Sequence, residues 1–580
     1  RRVTSKHGSR RRHIPNPARP RVRSNRLPTS WAGERGTLPC GREVLRSGVL
    51  LLIRQPPLLD PACNPFAGWD IRSLLERHAR QFADKPCLIW EPLNGKGESW
   101  SYAEFVRKLN EVGAGLYARG IRAGDRVIVH LDNCPEQMFA WLGCAWIGAV
   151  AVTTNAKSSE AELSYFAEKS KARAAITQPR FADLMARAFG NAEWMVVTET
   201  DAGEPPTKMS AAYQTFETLF ETSIALPERE ADCTAPFGIQ FTSGTTSRPK
   251  GVVWTHANAL WGGRVNAQHE GLGPDDVHLV FLPMFHTNAQ IYSVMAALWV
   301  GASIVLQPRF SASRFWPVAL EHKCTWTSMV PFMVQVLLER PVPDRHFFRF
   351  WGNAGCDLPS DAHFGVRSIG WWGMTETITH GIVGSVHHAD RPKSIGRVAP
   401  EYEIAIVSED GTPVTRGETG DLLVRGIRGL SLFLEYLDDP AATEAAFNED
   451  GWLITGDRVT ISEDGWLIFA DRTKDMLKVG GENIAASEIE AIISALPDVQ
   501  EVAVVAKPHK MLDEVPVAFV CVRDLSAIDA SDTIRLLQRH CAQELASFKV
   551  PVEFHLVEDL PRSTLNKIAK AELRELLKAD

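Results

Sequence analysis

Phe241-Thr-Ser-Gly-Thr-Thr-Ser-Arg-Pro-Lys-Gly251 is the stretch on which the reading of this chain turns. Four hydroxyls (Thr242, Ser243, Thr245, Thr246) surround Gly244, and Arg248 and Lys250 add positive charge. Donors of this kind, crowded around a flexible glycine, suit the oxygens of a polyphosphate. Apolar Phe237, Ile239 and Phe241 lead in as a strand end, and Gly251-Val-Val-Trp254 leads out as a second strand. Pro249 and Gly251 mark loop, not helix. The common P-loop needs Gly-Lys-Ser/Thr opening a helix, whereas Lys250 is followed by strand residues, so a hairpin flap over phosphates is the better reading. By composition alone such a run is most often a hydroxyl-rich surface turn. The rest of the chain has to decide between the two.

Outward from this loop, 580 residues with 45% hydrophobic and 23% charged content describe a globular protein with material for several lobes. A net charge of -7 gives no footprint for nucleic acid. The 10 cysteines contain no Cys-x-x-Cys pair, which argues against a zinc ribbon or dithiol motif and makes a reducing, cytoplasmic setting the expectation. No apolar run nears the roughly 18 residues of a membrane span; the strongest is Val49-Leu-Leu-Leu-Ile53. The 17 dispersed tryptophans are expected to pack cores. Residues 1–60 differ from the remainder: rich in Arg (Arg1, Arg2, Arg10, Arg11, Arg12) and Pro, poor in acids, and expected to be a disordered leader. A transit peptide is the alternative, with a mis-assigned start or a fragment favoured over it.

From Trp69 the pattern becomes regular. Helical periodicity at Ile71–His78 and from Tyr102 through Leu116 gives way to alternation: strands at 126–130, 150–153 and 174–177, with helices at 135–146 and 160–169 between them. The same rhythm returns after the phosphate loop, with strands at 277–281, 303–306 and 325–329 and helices at 291–298 and 331–339. Such alternation predicts an α/β fold of parallel sheets covered by helices. Short strands and turns between about 400 and 473 predict a β-rich subdomain. Residues 474–580, with a helical face at Ile489, Ile492, Ile493 and Leu496, strands at 502–506 and 517–522 and a helix at 533–545, predict a small α+β lobe after a large lobe of residues 61–473.

The loop Phe241–Gly251 resembles the signature loop of the adenylate-forming superfamily of acyl-CoA synthetases, adenylation domains and firefly luciferase, and the resemblance covers residue 65 to the C-terminus. Four further segments match in order. Leu282-Pro-Met-Phe-His-Thr-Asn288 places His286 where relatives wall the acyl pocket. Gly370-Trp-Trp-Gly-Met-Thr-Glu-Thr377 implies an adenine face at Trp372, an α-phosphate hydroxyl at Thr375 and a Mg²⁺ carboxylate at Glu376, oxygen being the ligand that hard cations take. The family has Tyr where Trp372 stands. Gly373 occupies the position at which acetate-activating members carry a blocking Trp, which implies room for a longer acid. Upstream, Gly352-Asn-Ala-Gly-Cys356 stands for the adenine loop, with Asn353 and Ala354 beside the base. Gly451-Trp-Leu-Ile-Thr-Gly-Asp457 and Asp471-Arg-Thr-Lys-Asp475 imply that Asp457 accepts the ribose hydroxyls, a task that suits a two-oxygen carboxylate. They also imply that Arg472 contacts ribose and phosphate and that Lys474 is the hinge. Finally, Lys478-Val-Gly-Gly-Glu-Asn-Ile484 and Pro561-Arg-Ser-Thr-Leu-Asn-Lys567 imply an adenylation lysine at Lys567, with Lys478, Gly480 and Gly481 turned toward the pantetheine tunnel. Here Leu565-Asn566 replaces the usual Ser/Thr-Gly before the lysine.

Thr242, Ser243, Gly244, Thr245, Thr246 and Lys250 complete the implied ATP site. Within the superfamily the phosphate loop, Ser311-Ala-Ser-Arg-Phe-Trp316 and Gly373-Met-Thr-Glu-Thr377 look most like the bacterial carnitine/crotonobetaine-CoA ligase group. The implied activity is AMP-forming ligation of a carboxylic acid to CoA, through acyl-AMP and pyrophosphate, with Mg²⁺ as cofactor and ATP and CoA as co-substrates, as in fatty acid metabolism. A carboxylic acid with pKa near 4 is already an anion at neutral pH, so charge repulsion is the obstacle and electrostatic stabilisation the remedy. The alternatives are delivery of the acyl group to a carrier-protein phosphopantetheine, and a catalytically silent homologue. A homodimer is the partner expectation beyond the small molecules.

Overall fold

The computed structural model describes residue 58 and residues 63–207, 213–222, 224–242, 249–472, 476–523, 529–561 and 568–577. The leader expected over residues 1–60 falls almost wholly outside them. The phosphate hairpin belongs to an eight-stranded sheet. Pro236–Thr242 pairs antiparallel with Lys250–Thr255, with Thr242 opposite Lys250, and parallel with Val150–Thr153 on its other side. Val150–Thr153 and Ala174–Thr177 flank Arg126–His130 in parallel register and are buried at every residue. That is why they read as short continuous apolar runs instead of alternating ones. Their crossover helices begin where local chemistry tells them to. Ser159 and Glu162 form a reciprocal capping box ahead of Glu160–Ser170, and Pro135 opens Pro135–Trp146.

The second large sheet has nine strands. Arg367–Trp372, Phe350–Asn353, Trp326–Ser328, Val277–Val280, Ser303–Leu306 and Pro86–Trp90 run parallel in that order. Antiparallel strands flank it, Glu98–Ser101 beside Pro86–Trp90 at one edge, and Ile382–Val383 beside Arg367–Trp372 followed by Arg397–Val398 at the other. One hydrophobic core runs through both large sheets and buries Trp141, Trp254 and Trp351 to within 1% exposure, so these tryptophans pack as expected. The helix expected from 291 to 298 differs in form: Asn288–Met295 is π-helical and continues as α-helix over Ala296–Val300, where Gly301 at φ +76° ends it. Wide π turns of this kind are rare and are frequently found at functional sites.

Residues 403–472 form the expected β-rich part, a four-stranded antiparallel sheet of Glu403–Val407, Thr419–Arg425, Leu453–Ile461 and Leu467–Arg472. The chain then builds a five-stranded sheet from Met476–Val479, Glu482–Ala485, Val499–His509, Asp513–Val522 and Glu553–Val557. Its apolar residues close on themselves: Leu477, Ile484, Ile489, Ile493, Val504 and Leu537 form one cluster, Val505, Phe519, Leu560 and Leu573 another, without a member from the large sheets. Among the described residues no helix is long and apolar enough to cross a membrane.

Candidate active site

A cleft of about 1500 Å³ opens between the large sheets and the C-terminal sheet. Sites for one small ligand occupy roughly 300–1,000 Å³, so this one has room for several groups at once. It is lined by Thr242, Lys250, His286, Asn353, Ala354, Trp372, Gly373, Thr375, Glu376, Asp457, Lys478, Gly480 and Gly481. Residues read from five separate motifs thus share one cavity. Ser243, Gly244, Thr245 and Thr246, Lys474, expected as the hinge, and Lys567, expected as the adenylation lysine, lie outside the described residues, as does the side chain of Arg472.

Strand ends put these groups there. Arg367–Trp372 carries the chain to Thr375–Thr377, a single 3₁₀ turn, and the next residue, Ile378, sits at φ +64°. A β-branched residue in that region is strained, and such strain persists only where the surroundings hold it. Thr375 is fixed from two sides: its carbonyl accepts from Trp254 Nε1 at 2.9 Å and its Oγ1 lies 3.2 Å from Thr287 Oγ1. Thr287 in turn donates to Gln240 Oε1, and Gln240 Nε2 donates to Gln290 Oε1 at 2.7 Å. A buried amide and hydroxyl chain therefore ties the end of the phosphate strand to the Thr375 turn.

Glu376 is 5% exposed, and its Oε1 accepts from the Tyr436 hydroxyl at 2.8 Å. Burial pushes its carboxyl above the ordinary range, while the Tyr436 hydrogen bond and nearby Lys250 pull the other way. Lys250 Nζ stands 4.7 Å from the centre of the Tyr436 ring. Lys250, Tyr436 and Glu376 form one unit, and Tyr436 was missed by sequence reasoning because a lone tyrosine beside Leu437 carries no chemical signal. Magnesium on phosphate typically needs one or two carboxylates, the remaining ligands being phosphate oxygens and water. A single buried carboxylate flanked by the Thr375 hydroxyl fits that demand. The one three-residue cluster with metal-ligand spacing among the described residues, Glu91, Glu321 and His322, lies away from the cleft.

Asp457 is 7% exposed, and its Cα pairs with that of Arg472 on the neighbouring strand, so the two motif residues meet in register. Its Oδ2 accepts from Trp372 Nε1 at 2.8 Å. Asn353 is 1% exposed, its Oδ1 accepts from the Ala354 amide, and its Nδ2 is buried without a protein partner. An orphaned buried donor is costly, and at a cleft wall it marks where a ligand acceptor belongs.

On the side expected to hold the acyl group the finding differs from simple vacancy at Gly373. A Cβ there would stand 2.4 Å from Tyr292 Oη and 2.6 Å from the Thr379 carbonyl, so Tyr292 already occupies the space beside the glycine. Trp371 stacks on His380 with ring centres 4.2 Å apart, and its indole edge lies over Gly352, where a Cβ would come within 1.5 Å. Burial holds His380 well below the ordinary histidine range, so the imidazole under Trp371 is neutral.

The C-terminal hairpin of Met476–Val479 and Glu482–Ala485 turns at Gly480 (φ +58°) and Gly481 (φ +89°) and enters the cleft. Two consecutive left-handed residues explain why both are glycine. Glu482 Oε2 accepts from His286 Nε2 at 2.9 Å and from Asn155 Nδ2 at 3.3 Å. Burial would raise its carboxyl, but His286 together with Lys157 and Lys549 outweighs burial and holds it below the ordinary range. His286 therefore bonds across to the C-terminal sheet as well as lining the cleft. Lys549 anchors the same junction, held by Glu162 of the large sheet's covering helix and by Glu488 at 2.7 Å, all three buried.

The chain matches the model of the AMP-binding enzyme family over residues 75–437 and that of the AMP-binding enzyme C-terminal domain over 488–567. It is 35% identical over 525 residues to a crotonobetaine/carnitine–CoA ligase of Escherichia coli O139:H28, with 87% of this chain and 99% of the relative covered. Among solved structures it is similar to an o-succinylbenzoate CoA synthetase double mutant of Bacillus subtilis bound with its product analogue, at TM-score 0.74 and 26% identity over 87% of this chain and 98% of that one. It is also similar to an anthranilate CoA ligase in complex with anthranoyl-AMP, at TM-score 0.65 and 25% identity over 90% and 99% of the two chains. A five-motif cleft, the family-model matches over residues 75–437 and 488–567, and a relative 35% identical across 87% of this chain together establish that the chain belongs to the AMP-binding enzyme family, the adenylate-forming acyl-CoA ligases.

Proposed function

We propose that this chain is an ATP-dependent acyl-CoA ligase that activates a carboxylic acid as acyl-AMP, with release of pyrophosphate, and passes the acyl group to the CoA thiol. The observation that carries this reading is the meeting in one cleft of Thr375, Glu376 and Asp457 with the Lys478–Gly481 turn of the C-terminal hairpin. In the first step the Thr375 hydroxyl donates to an α-phosphate oxygen, Asp457 holds the ribose hydroxyls, and Lys567 bridges the carboxylate and the phosphate. Bound at Glu376, Mg²⁺ supplies neutralisation of phosphate charge. The hydroxyls of residues 242–246 with Lys250 take up the departing pyrophosphate, as preorganised donors do best in a water-poor cleft.

In the second step the glycine turn at Gly480 and Gly481 borders the thiol's path, and Lys478 flanks it. The small C-terminal lobe, residues 474–580, is the moving lid and Lys474 its hinge. Two findings support the lobes standing here in the arrangement for thiol transfer: the hairpin occupies the cleft, and the TM-score is higher to the product-analogue complex than to the anthranoyl-AMP complex. The setting proposed is cytoplasmic, in keeping with a chain whose 10 cysteines contain no Cys-x-x-Cys pair.

The acid is larger than acetate, and betaine-type acids are the first to test. The E. coli relative is named for crotonobetaine and carnitine, and Trp371 and Tyr292, which both line the cleft, are aromatic rings of the kind that attract a cationic group. The experiment incubates the purified protein with ATP, Mg²⁺ and short, medium, aromatic and betaine-type acids, measuring pyrophosphate with and without CoA. Acid-stimulated release, with acyl-CoA appearing only when CoA is present, is the expected result. Strong preference for acetate would overturn the substrate reading, and acid-stimulated release with no CoA-dependent product would favour a carrier-protein acceptor.

A further inference from the structure

We propose that Trp372 is a positioning residue for ribose recognition, its indole N–H fixing the Asp457 carboxylate for the nucleotide's hydroxyls. The inference rests on the assignment of Asp457 to ribose in the proposed function and adds a residue to it. Indole nitrogen can only donate, so the 2.8 Å contact from Nε1 to Asp457 Oδ2 has one direction: donor on Trp372, charged acceptor on Asp457. Both residues are buried, at 6% and 7% exposure, and hydrogen bonds to a charged acceptor strengthen when water is excluded.

The ring is packed in place on one side. A Cβ on Gly381 would lie 3.1 Å from Cζ3 of the indole and 3.4 Å from Cε3, so the six-membered ring rests on the Gly381 backbone. Trp372 itself pairs with Ile382 on the adjacent strand. The edge carrying nitrogen is thereby aimed at the strand bearing Asp457. Tyrosine, the residue usual in the family at this position, has its only donor at the far tip of the ring, not on its flank. The Trp for Tyr exchange therefore does more than preserve an aromatic face for adenine: it adds a donor to the carboxylate.

The test is calorimetric binding of AMP, 2′-deoxyAMP and 3′-deoxyAMP to the full chain and to Trp372→Phe, Trp372→Tyr, Asp457→Asn and the Trp372→Phe/Asp457→Asn double variant. The readout is the ratio of deoxy to ribo dissociation constants within each protein, which does not depend on the active fraction. In the unaltered chain loss of a hydroxyl is expected to weaken binding at least about tenfold, and in both Trp372 variants the penalty is expected to fall to about threefold or less. Asp457→Asn should add little in the Trp372→Phe background, since groups acting through one contact are not additive. A hydroxyl penalty unchanged in both Trp372 variants would leave Trp372 as an adenine face alone and overturn the proposal, as would a starting protein that does not distinguish AMP from its deoxy forms. A protein that binds AMP with the expected pattern but makes no acyl-AMP from any acid would sink the ligase reading while leaving this assignment standing.

Discussion

Tyr436 donates its hydroxyl to Glu376 from a strand 60 positions further along the chain. That hydrogen bond lowers the Glu376 carboxyl against the burial that raises it. Removing it in Tyr436→Phe raises the carboxyl further, so a proton competes better with Mg²⁺. The Mg²⁺ concentration for half-maximal pyrophosphate release should rise by about three- to tenfold, more at pH 6 than at pH 8. A magnesium titration at both pH values checks it, and an unchanged midpoint would separate Tyr436 from the metal site. Glu376→Gln, which keeps the shape and deletes the charge, should reduce acyl-AMP formation by at least about a hundredfold. Single-turnover measurement of acyl-AMP is the check. At this scale the sequence was informative wherever a residue's meaning came from its immediate neighbours, as in Gly373-Met-Thr-Glu376. It was silent where meaning came from a distant partner, as with Tyr436, Glu482 with His286 and Trp372 with Asp457.

The secondary-structure elements were legible because their signals are local. Val150–Thr153 and Ala174–Thr177 emerged at the expected bounds because a doubly covered parallel strand is apolar throughout. Asn288–Met295 was not legible as a π-helix, since its wide turn depends on packing against neighbours that sequence periodicity does not see. The C-terminal hairpin makes a sharper test. Gly481 has φ +89°, so Gly481→Val strains the turn by about 1–3 kcal/mol and adds bulk in the cleft. Acyl-CoA formation should fall by about tenfold or more while pyrophosphate release in the absence of CoA stays within about twofold. Equal loss in both steps would show that the turn serves adenylation as well. Beneath the Trp371 ring, Gly352→Ala forces a methyl into the indole and should lower stability by about 1–3 kcal/mol, measured by denaturant unfolding.

Across the whole molecule, Lys549 joins the two lobes through Glu162 and Glu488. Burial pulls its ammonium down, but the two carboxylates outweigh burial and hold it above its ordinary value of 10.5. A base raised on folding contributes fully below its unfolded pKa, so on the alkaline side this junction is lost only as pH rises through the raised lysine value; burial pushes the Glu488 carboxyl up, so on the acid side it weakens as that carboxyl takes a proton. Lys549→Met would leave two carboxylates buried without their cation, a penalty of about 3–5 kcal/mol if the lobes stayed closed. The lobes should therefore separate, seen as a larger radius of gyration in small-angle scattering and as slowing of acyl-CoA formation greater than that of acyl-AMP formation. Unchanged scattering would show that the hairpin contacts alone hold closure.

By itself the sequence determined the α/β class, the β-rich part between about 400 and 473, the hairpin beneath the phosphate loop and the short motifs whose residues line the cleft. All of these are written in spacings of a few residues, where backbone geometry and side-chain periodicity act directly. Only the tertiary structure decided which donor faces Asp457, what fills the space beside Gly373, which hydroxyl tempers Glu376 and how the C-terminal hairpin enters the cleft. Each of those contacts joins residues tens to hundreds of positions apart, His286 and Glu482 being 196 apart. Their energies depend on burial, and burial exists only once the sheets have packed.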